Sequence, residues 1–136
     1  MQRVSSASVS VADRTVASIG PGMLVLLGIH VADGSAEADR LADKVARLRI
    51  FSDADGRISA PLGEREVLCV SQFTLYGDTR RGNRPSYTEA APGPHAEPLY
   101  ERFCDHLGAR RGVFGADMQV ALVNDGPVTL LLEVSP

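Results

Sequence analysis

The chain has 136 residues, 44% of them hydrophobic and 23% charged, which is enough for one well-packed domain over residues 1–136 and argues against a disordered chain. Its 17 acidic and 14 basic side chains give a formal net charge of −3, which excludes the chain-wide positive field that drives non-specific nucleic-acid binding. No apolar run reaches the roughly 18 residues of a membrane span, and no signal-peptide core follows Met1, so the sequence predicts a cytosolic protein.

The first residues have the pattern of a strand meander. Within residues 3–11 the apolar positions alternate, which predicts a strand with one buried face formed by Ala7, Val9 and Val11. A turn at Ala12–Thr15 and a return strand at Val16–Ile19 complete a predicted hairpin, and Gly20-Pro21-Gly22 ends it. Residues 23–29 are apolar throughout and therefore predict a central strand that is covered on both faces.

A helix and two shorter extended segments are predicted next. Asp33-Gly34-Ser35 supplies turn and cap chemistry, and the helix after it carries its apolar face on Leu41, Val45 and Leu48. Ile50-Phe51 predicts a short extended segment. In Asp53-Ala54-Asp55-Gly56 the glycine stands fourth, whereas a calcium-binding loop needs it sixth, so the spacing favours a plain turn. Val67–Val70 predicts a second buried strand.

The rest of the chain contains a long connection, a second helix and two strand patterns. Residues 77–93 are rich in Gly, Pro, Arg and Asp, a composition typical of a functional loop in a compact domain. Pro94 or Pro98 can occupy the first turn of the helix, which ends at Gly108 and has the apolar face Ala96, Leu99, Phe103 and Leu107. Strand patterns follow at residues 117–122 and 128–134, separated by a break at Asn124–Pro127.

The cysteines and histidines do not have the spacing of a metal site. Cys69 and Cys104 lie in apolar segments of a chain without a secretion signal, so reduced, packed thiols are expected rather than a disulfide. His30, His95 and His106 are far apart and form no ligand pair with each other or with a cysteine. The sequence therefore predicts no metal, and because it lacks a phosphate-binding glycine loop, it predicts no nucleotide cofactor.

Polar side chains follow the second buried strand in Ser71-Gln72-Phe73-Thr74. Three interpretations are open. Ser71 or Thr74 is a nucleophile, although the histidine that such a nucleophile requires is not near in sequence. Alternatively, the polar side chains only satisfy backbone groups where the strand ends. In the third interpretation, backbone amides of this segment donate to a developing oxyanion and the side chains fix the geometry.

Three arginines, Arg80, Arg81 and Arg84, lie within five residues of each other in the long connection. Such clustering on a glycine-containing loop of an acidic protein suggests a patch that contacts phosphates. A solvated loop whose charges serve solubility explains the same composition, and composition alone does not separate these two interpretations.

Gly126-Pro127 follows Asn124-Asp125 and precedes an alternating segment. On local grounds this is the tight turn of a hairpin. A Gly-Pro bond can also be cis, and a rigid, exposed turn of this kind could present its carbonyl oxygens as a fixed wall.

Two segments resemble the signature motifs of the D-aminoacyl-tRNA deacylases: Ser71-Gln72-Phe73-Thr74-Leu75 and Asn124-Asp125-Gly126-Pro127-Val128-Thr129. Further segments along nearly the whole chain match family positions as well: Gln2–Val4, Arg49–Asp53, Arg84–Ser86 and Ala116–Val120. The resemblance implies an α+β fold, with a mixed, mainly antiparallel, barrel-like sheet and two helices.

The resemblance also implies a homodimer, in which the Gly-Pro turn of one subunit enters the pocket of the other. The predicted terminal strand Val128–Val134, whose edge or apolar face would need cover, gives a second reason to expect a dimer. The implied activity is hydrolysis of the ester between a D-amino acid and the terminal ribose of tRNA, and of glycine esters on non-cognate tRNA. The implied partners are thus aminoacyl-tRNA and a second copy, with no cofactor.

The site residues follow from the same resemblance. Catalysis is assigned to the strand end whose amides, that of Phe73 especially, face the scissile carbonyl: Ser71, Gln72, Phe73 and Thr74. Substrate binding is assigned to Gly126, Pro127, Val128, Thr129, Arg3 and Met118, with Arg3 supporting the Gly-Pro turn. Phosphate contacts are assigned to Arg80, Arg81 and Arg84. A cis Gly126-Pro127 bond is expected, with its carbonyl oxygens excluding L-amino acids.

Two other functions remain as alternatives. One is a trans-editing deacylase that acts on a mischarged L-amino acid, and the other is a non-catalytic dimeric module that binds a small ligand in the same cleft. Rates on D- and L-aminoacyl-tRNA separate all three, because a binding module releases neither amino acid.

Overall fold

A computed structural model describes residues 1–136 and contains eight strands, two helices and one 3-10 turn. The strands are β1 (Gln2–Val11), β2 (Arg14–Ile19), β3 (Gly22–Leu27), β4 (Phe51–Ser52), β5 (Ile58–Ala60), β6 (Glu66–Ser71), β7 (Arg110–Arg111) and β8 (Gln119–Thr129). The helices are α1 (Ser35–Arg47) and α2 (Gly93–Leu107), and the 3-10 turn covers Phe73–Tyr76.

Strand β1 organises the main sheet. It pairs antiparallel with β8 along one edge, and with β3 and then β2 along the other. Strand β6 pairs in parallel with β3 on one side and with β7 on the other, so the sheet is mixed and nearly closes into a barrel. Strands β4 and β5 form a separate antiparallel hairpin. The predicted α+β fold, with a mixed, barrel-like sheet and two helices, is confirmed.

The sheet buries apolar side chains on both of its faces. Alternate residues of β3 point to opposite sides: Met23 and Val25 join the core beneath the helices, whereas Leu24 joins the core inside the barrel. This explains why the segment is apolar throughout, as predicted for a central strand. Helix α2 adds the fully buried side chains of Tyr100 and Phe103 to the helix-side core.

The predicted hairpin and helices form close to their expected bounds. Ala12 and Asp13 have positive φ angles of 49° and 63°, as a tight turn between β1 and β2 requires. Helix α2 begins at Gly93 with Pro94 in its first turn, so Pro98 lies inside the helix and does not start it. Gly108 ends α2 in the left-handed conformation at φ 67°.

Cys69 and Cys104 are free and fully buried, which confirms the prediction of packed thiols. Burial raises the pKa of the Cys69 thiol well above its ordinary value. The Asp53 carboxylate accepts hydrogen bonds from the backbone of Asp55 and Arg57, 2.9 Å in each case, as expected for a plain turn. Neither helix combines the length and the apolar character that crossing a membrane requires.

The C-terminal part of the chain differs from the sequence prediction in two ways. Asn124–Pro127 is not a hairpin turn, because β8 continues through it to Thr129. The predicted strand Val128–Val134 is also wrong, since residues 130–136 have no regular structure. Leu130 exchanges backbone hydrogen bonds with Met1, and no strand of the sheet pairs with residues 131–136. The predicted strand Val128–Val134 therefore gives no reason to expect a dimer.

Candidate active site

The first candidate segment lies where β6 leaves the sheet. Ser71 is the last residue paired with β3, opposite Leu27, and the Gln72 amide donates to the Leu27 carbonyl at 2.8 Å. The 3-10 turn follows, and it is closed by a hydrogen bond from the Gly77 amide to the Thr74 carbonyl at 2.9 Å. We call Ser71–Thr74 the strand end. Its backbone is thereby fixed on both sides.

The side chains of the strand end bond to each other rather than to a base. The Gln72 side-chain amide donates to the Thr74 hydroxyl. Ser71 and Gln72 are half-buried, whereas Phe73 and Thr74 are exposed. No histidine or carboxylate hydrogen-bonds to Ser71 or Thr74, so neither hydroxyl is held by a group that could remove its proton.

Ser71, Gln72 and Phe73 line a cavity of about 540 Å³. Its opposite walls come from the segment that precedes β8, including Met118, and from the start of α2. The structure therefore brings three of the four predicted catalytic residues together with Met118, which lies 47 residues beyond Ser71 in the sequence. Thr74 is the next residue along the strand end.

The second candidate segment is a bulge in β8. Asn124 pairs with Val4 and Thr129 with Gln2, so four residues of β8 stand opposite one residue of β1. We call these four residues, Asp125–Val128, the Gly-Pro bulge. Gly126 and Pro127 are exposed, their peptide bond is cis as expected, and Gly126 has a φ of 121°.

A buried arginine supports this bulge. Arg3 is only 7% exposed, and its guanidinium donates to the backbone carbonyls of Asp125 at 2.9 Å and Ile50 at 2.7 Å. A Cβ atom at position 126 would lie 2.7 Å from Nη2 of Arg3, so glycine is needed there for space as well as for its positive φ. Arg3 thus connects the bulge to the segment before β4.

Within one chain, the bulge does not reach the cavity at the strand end. None of Gly126, Pro127, Val128 and Thr129 lines that cavity. Thr129 lines a larger cavity of about 740 Å³, together with Leu75, Tyr76 and Leu130–Glu133, and the two cavities share no residue. The predicted site residues therefore form two separate groups, one at the strand end and one at the bulge. The larger cavity is lined by residues that directly follow each group: Leu75 after the strand end and Thr129 after the bulge.

The three loop arginines are not equivalent. We call residues 77–92 the arginine loop; its base is closed by reciprocal backbone hydrogen bonds of 2.8 Å between Asp78 and Ser86. Arg80 is paired with the Asp78 carboxylate through contacts of 2.6 to 3.0 Å, which lower the pKa of Asp78 to about 2. Arg81 and Arg84 are exposed and form no salt bridge, so they are the two free cations of the loop.

Two aromatic residues in the cavity wall were not assigned to the site from the sequence. Tyr87, from the arginine loop, and Phe114 both line the 540 Å³ cavity. The ring of Tyr87 lies 5.1 Å from that of Phe73, edge to face. For Tyr87, the sequence did carry a signal: an aromatic residue inside a loop of glycines and arginines, a combination typical of nucleic-acid contacts.

Metal ligation finds no support in the side-chain geometry. No group of three or more His, Cys, Asp or Glu side chains converges. Nε2 of His95 contacts the Asp33 carbonyl at 2.7 Å, and Nε2 of His106 contacts the Asp43 carboxylate at 2.7 Å, so both rings have structural partners. The polar side chains that line the 540 Å³ cavity are those of Ser71, Gln72, Tyr87 and Asp117.

Comparison with protein families shows which family the chain belongs to. The family model described as D-Tyr-tRNA(Tyr) deacylase matches residues 1–133. The chain belongs to this deacylase family. Two relatives named D-aminoacyl-tRNA deacylase support the assignment. That of Roseiflexus sp. (strain RS-1) is 55% identical, covering 98% of this chain and 90% of its own length, and that of Myxococcus xanthus (strain DK1622) is 52% identical, covering 98% and 92%.

Solved structures share the fold of this family member. One described as c-Myc DNA Unwinding Element Binding Protein has a TM-score of 0.93 at 40% identity, covering 99% of this chain and 97% of that one. Another, described as a structural analysis of a probable eukaryotic D-amino acid tRNA deacylase, has a TM-score of 0.79 at 16% identity and covers 93% and 92%. At that identity, the second likeness speaks for the fold alone.

Proposed function

We propose that this deacylase, acting as one domain over residues 1–136, hydrolyses the ester between a D-amino acid and the terminal ribose of tRNA in the cytosol. Glycine esters on non-cognate tRNA are substrates as well, and L-aminoacyl esters are rejected. One observation supports this most directly: the strand end lines a cavity and contains no hydrogen-bonded base. Family membership is consistent with it.

An aminoacyl ester is already activated, so the site needs mainly to position it and to stabilise the oxyanion. We assign the backbone amide of Phe73 as the oxyanion donor, with Ser71, Gln72 and Thr74 fixing the strand end around it. Water, assisted by the neighbouring ribose hydroxyl, attacks the carbonyl carbon. The carbon–oxygen bond to the ribose then breaks and the ribose oxygen takes a proton. In the alternative mechanism, Thr74 is itself the nucleophile.

The substrate site is completed by a second copy of the chain in a homodimer. Asp125, Gly126 and Pro127 of the Gly-Pro bulge are exposed, and the bulge does not line the strand-end cavity of its own chain. The larger cavity adjoins both signature segments, and apolar side chains around it are exposed, Leu75 at 47% and Leu131 at 80%. In a two-fold dimer, each bulge enters the partner's cavity while these apolar side chains are covered.

The inserted bulge would select the chirality of the substrate. Once the ammonium and carbonyl groups are held, D- and L-amino acids differ only in where the side chain points. A main-chain wall at Gly126-Pro127, held from behind by Arg3, blocks the L direction and cannot swing aside as a side chain could. Val128 and Thr129 continue this wall, and Met118 shapes the cavity. Glycine has no side chain to clash and is cleaved.

The proposal is tested by measuring deacylation of D-tyrosyl-, L-tyrosyl- and L-alanyl-tRNA by the purified wild-type protein. We expect rapid release of D-tyrosine only. Release of L-alanine at a comparable rate would identify a trans-editing enzyme for L-amino acids. Release of none of the three amino acids would identify a binding module.

The shared site is tested with two variants that damage different halves of it. Phe73→Pro removes the proposed oxyanion amide, and Pro127→Trp makes the bulge too large for a partner's cavity, although Pro127 is exposed in the single chain. Each variant alone should retain at most about 1% of the wild-type activity. A heterodimer of the two, purified by two different tags, should recover about half of the wild-type activity, since one of its two sites is intact. An inactive heterodimer would show that each chain carries its own complete site.

A further inference from the structure

The basic side chains that form no salt bridge are concentrated in one part of the chain. Six of the 14 basic residues pair with a carboxylate: Arg3, Arg40, Arg80, Arg102, Arg110 and Arg111. Five of the other eight lie between the last turn of α1 and the residue before β6: Lys44, Arg47, Arg49, Arg57 and Arg65. Residues 44–65 contain three acidic side chains, whereas the rest of the chain has nine basic and 14 acidic ones. The segment is therefore a positive region of an acidic protein.

Three of these cations, Arg47, Arg49 and Arg57, are exposed and share one region of the surface. Nε of Arg49 donates to the Ser59 carbonyl at 2.7 Å, and the Asp53 amide donates to the Arg57 carbonyl at 2.8 Å. These bonds hold the β4–β5 hairpin beside the segment that follows Arg47, the last residue of α1. We call Arg47, Arg49 and Arg57 the basic surface.

No carboxylate neutralises the basic surface. The Asp53 carboxylate is occupied by the amides of Asp55 and Arg57, at 2.9 Å each, and by the Ser59 hydroxyl. Nε of Arg47 donates to a backbone carbonyl of its own helix at 3.2 Å, and the Arg57 side chain has no hydrogen-bond partner. Guanidinium groups with free N–H donors bind phosphate oxygens well, because they combine charge with a planar set of donors.

The basic surface is joined to the Gly-Pro bulge by a buried side chain. Ile50 directly follows Arg49, and its carbonyl accepts a hydrogen bond from Arg3 at 2.7 Å. The same guanidinium donates to the Asp125 carbonyl, the first of the bulge, at 2.9 Å. Because Arg47 is three residues from Ile50, their backbones are at most about 11 Å apart. The bulge and the basic surface are therefore neighbours on one side of the molecule.

In the proposed dimer, each bulge enters the partner's strand-end cavity, so the basic surface reaches the rim of the partner's site. The arginine loop differs, because its residue Tyr87 lines the cavity of its own chain. We propose that Arg47, Arg49 and Arg57 bind backbone phosphates of a tRNA whose 3′ end lies in the partner's cavity. This inference rests on the proposed function, and it gives each bound tRNA phosphate contacts from both subunits.

The first test compares wild-type protein with the double variant Arg47→Ala, Arg57→Ala. Arg49 is retained because its side chain supports the hairpin. Each lost phosphate contact lowers the salt slope of log KM by about 0.7–0.9, so KM for D-tyrosyl-tRNA should rise by about 25- to 60-fold at 0.1 M salt. The difference should shrink as the salt concentration rises. KM for D-tyrosyl-adenosine, which has no phosphate, should not change.

Two control variants accompany this measurement. Arg47→Lys, Arg57→Lys keeps both charges and should keep the wild-type salt slope. Arg14→Ala removes another exposed arginine without a salt bridge; Arg14 pairs with Val11, seven residues along β1 from Val4 and so about 23 Å from the bulge. It should leave KM unchanged. An equal loss per arginine in Arg14→Ala, or an equal loss on D-tyrosyl-adenosine, would overturn the proposal.

Two heterodimers, purified by two different tags, identify the subunit that supplies the contacts. In both, one chain carries Phe73→Pro, so only the other chain has a working cavity. With Arg47→Ala and Arg57→Ala on the Phe73→Pro chain, KM for tRNA should rise as in the double variant. With both substitutions on the other chain, KM should stay at the wild-type value. The opposite assignment, equal effects from both chains, or a monomer detected by light scattering would overturn the proposal.

Binding of uncharged tRNA separates failure of this inference from failure of the proposed function. If the wild-type protein hydrolyses neither ester, the proposed function fails, yet fluorescence anisotropy with labelled tRNA still reports the phosphate contacts. Weaker binding by Arg47→Ala, Arg57→Ala than by wild-type protein and Arg14→Ala would support the basic surface. Equal binding by all three proteins would reject it. Loss of binding only to phosphatidylglycerol vesicles would also reject it, in favour of a membrane surface.

Discussion

The strand end and the Gly-Pro bulge both interrupt regular strand pairing, but their surroundings differ. At the strand end, the chain leaves β6 and Ser71, Gln72 and Phe73 line a cavity, whereas the bulge interrupts the β8 ladder with exposed residues that do not line this cavity. The backbone of the strand end is held by the neighbouring strand and the 3-10 turn, while that of the bulge is held by the buried guanidinium of Arg3. Within one chain, the two segments thus lie in different surroundings and do not line a common cavity.

The two regions also differ in what they require of their side chains. Gly126 has a φ of 121° and no room for a Cβ atom, so the bulge depends on the absence of a side chain. The strand end has side chains of ordinary size, and its proposed contribution comes from a backbone amide. Substitutions that change the backbone are therefore expected to have larger effects at both regions than substitutions that shorten a side chain.

The largest effect is expected when the Phe73 amide is removed. Phe73 is the first residue of the 3-10 turn, a position that tolerates proline, so Phe73→Pro should fold while losing the proposed oxyanion donor. Loss of one such donor lowers turnover by about 10²- to 10³-fold. We expect kcat of Phe73→Pro to fall by that factor relative to Phe73→Ala, which lacks the ring but retains the amide.

Side-chain truncations at the same region provide the comparison. Ser71→Ala and Thr74→Ala leave every backbone amide in place and should each lower activity incompletely and to different extents. Complete loss in Thr74→Ala, with activity restored by Thr74→Ser, would instead identify Thr74 as a nucleophile. Circular dichroism of each variant confirms that the fold is retained.

The next effect in size concerns the bulge. Gly126→Ala places a methyl group against Nη2 of Arg3 and should displace the wall. We expect the ratio of D- to L-tyrosyl-tRNA hydrolysis to fall by about tenfold or more, in line with a pocket contact worth about 1–3 kcal/mol. The readout is the pair of initial rates measured on the two isomers.

Gly56→Ala is the matched control for backbone strain. Gly56 also has a positive φ, 79°, but no atom lies within 4 Å of a Cβ built there. It should lose about 1 kcal/mol of stability and leave the D-to-L ratio unchanged. If both variants shift the ratio equally, the bulge has no special part in selectivity.

The smallest effect is expected from the arginine loop. Alanine at both Arg81 and Arg84 should raise KM and lower the salt slope of log KM by about 0.7–0.9 for each lost phosphate contact, with kcat almost unchanged. Arg80→Ala should have less effect, because the guanidinium of Arg80 is already hydrogen-bonded to the Asp78 carboxylate at 2.6 to 3.0 Å. Equal effects at all three arginines would show that pairing with Asp78 does not withdraw Arg80 from the substrate.

Local patterns predict most of the fold. Apolar alternation identifies β1, the all-apolar run identifies β3, and the spacing of Leu41, Val45 and Leu48 identifies α1, because each pattern reports which face of a local element is buried. The same reasoning is wrong at the C-terminus. Residues 128–134 alternate like a strand, but strands need partners, and the ladder with β1 ends where β1 itself begins.

The sequence by itself determined the two signature segments and, through their resemblance to a known family, the fold class. It also determined the conformational freedom that Gly126 needs, since this depends on residue type alone. Only the tertiary structure decided that the strand end joins Met118 in one cavity, that the bulge lies outside it, that Arg80 is bound to Asp78, and that Tyr87 lies against Phe73. Contacts between residues distant in sequence depend on how strands and loops pack in space. Periodicity along the chain carries no information about that packing.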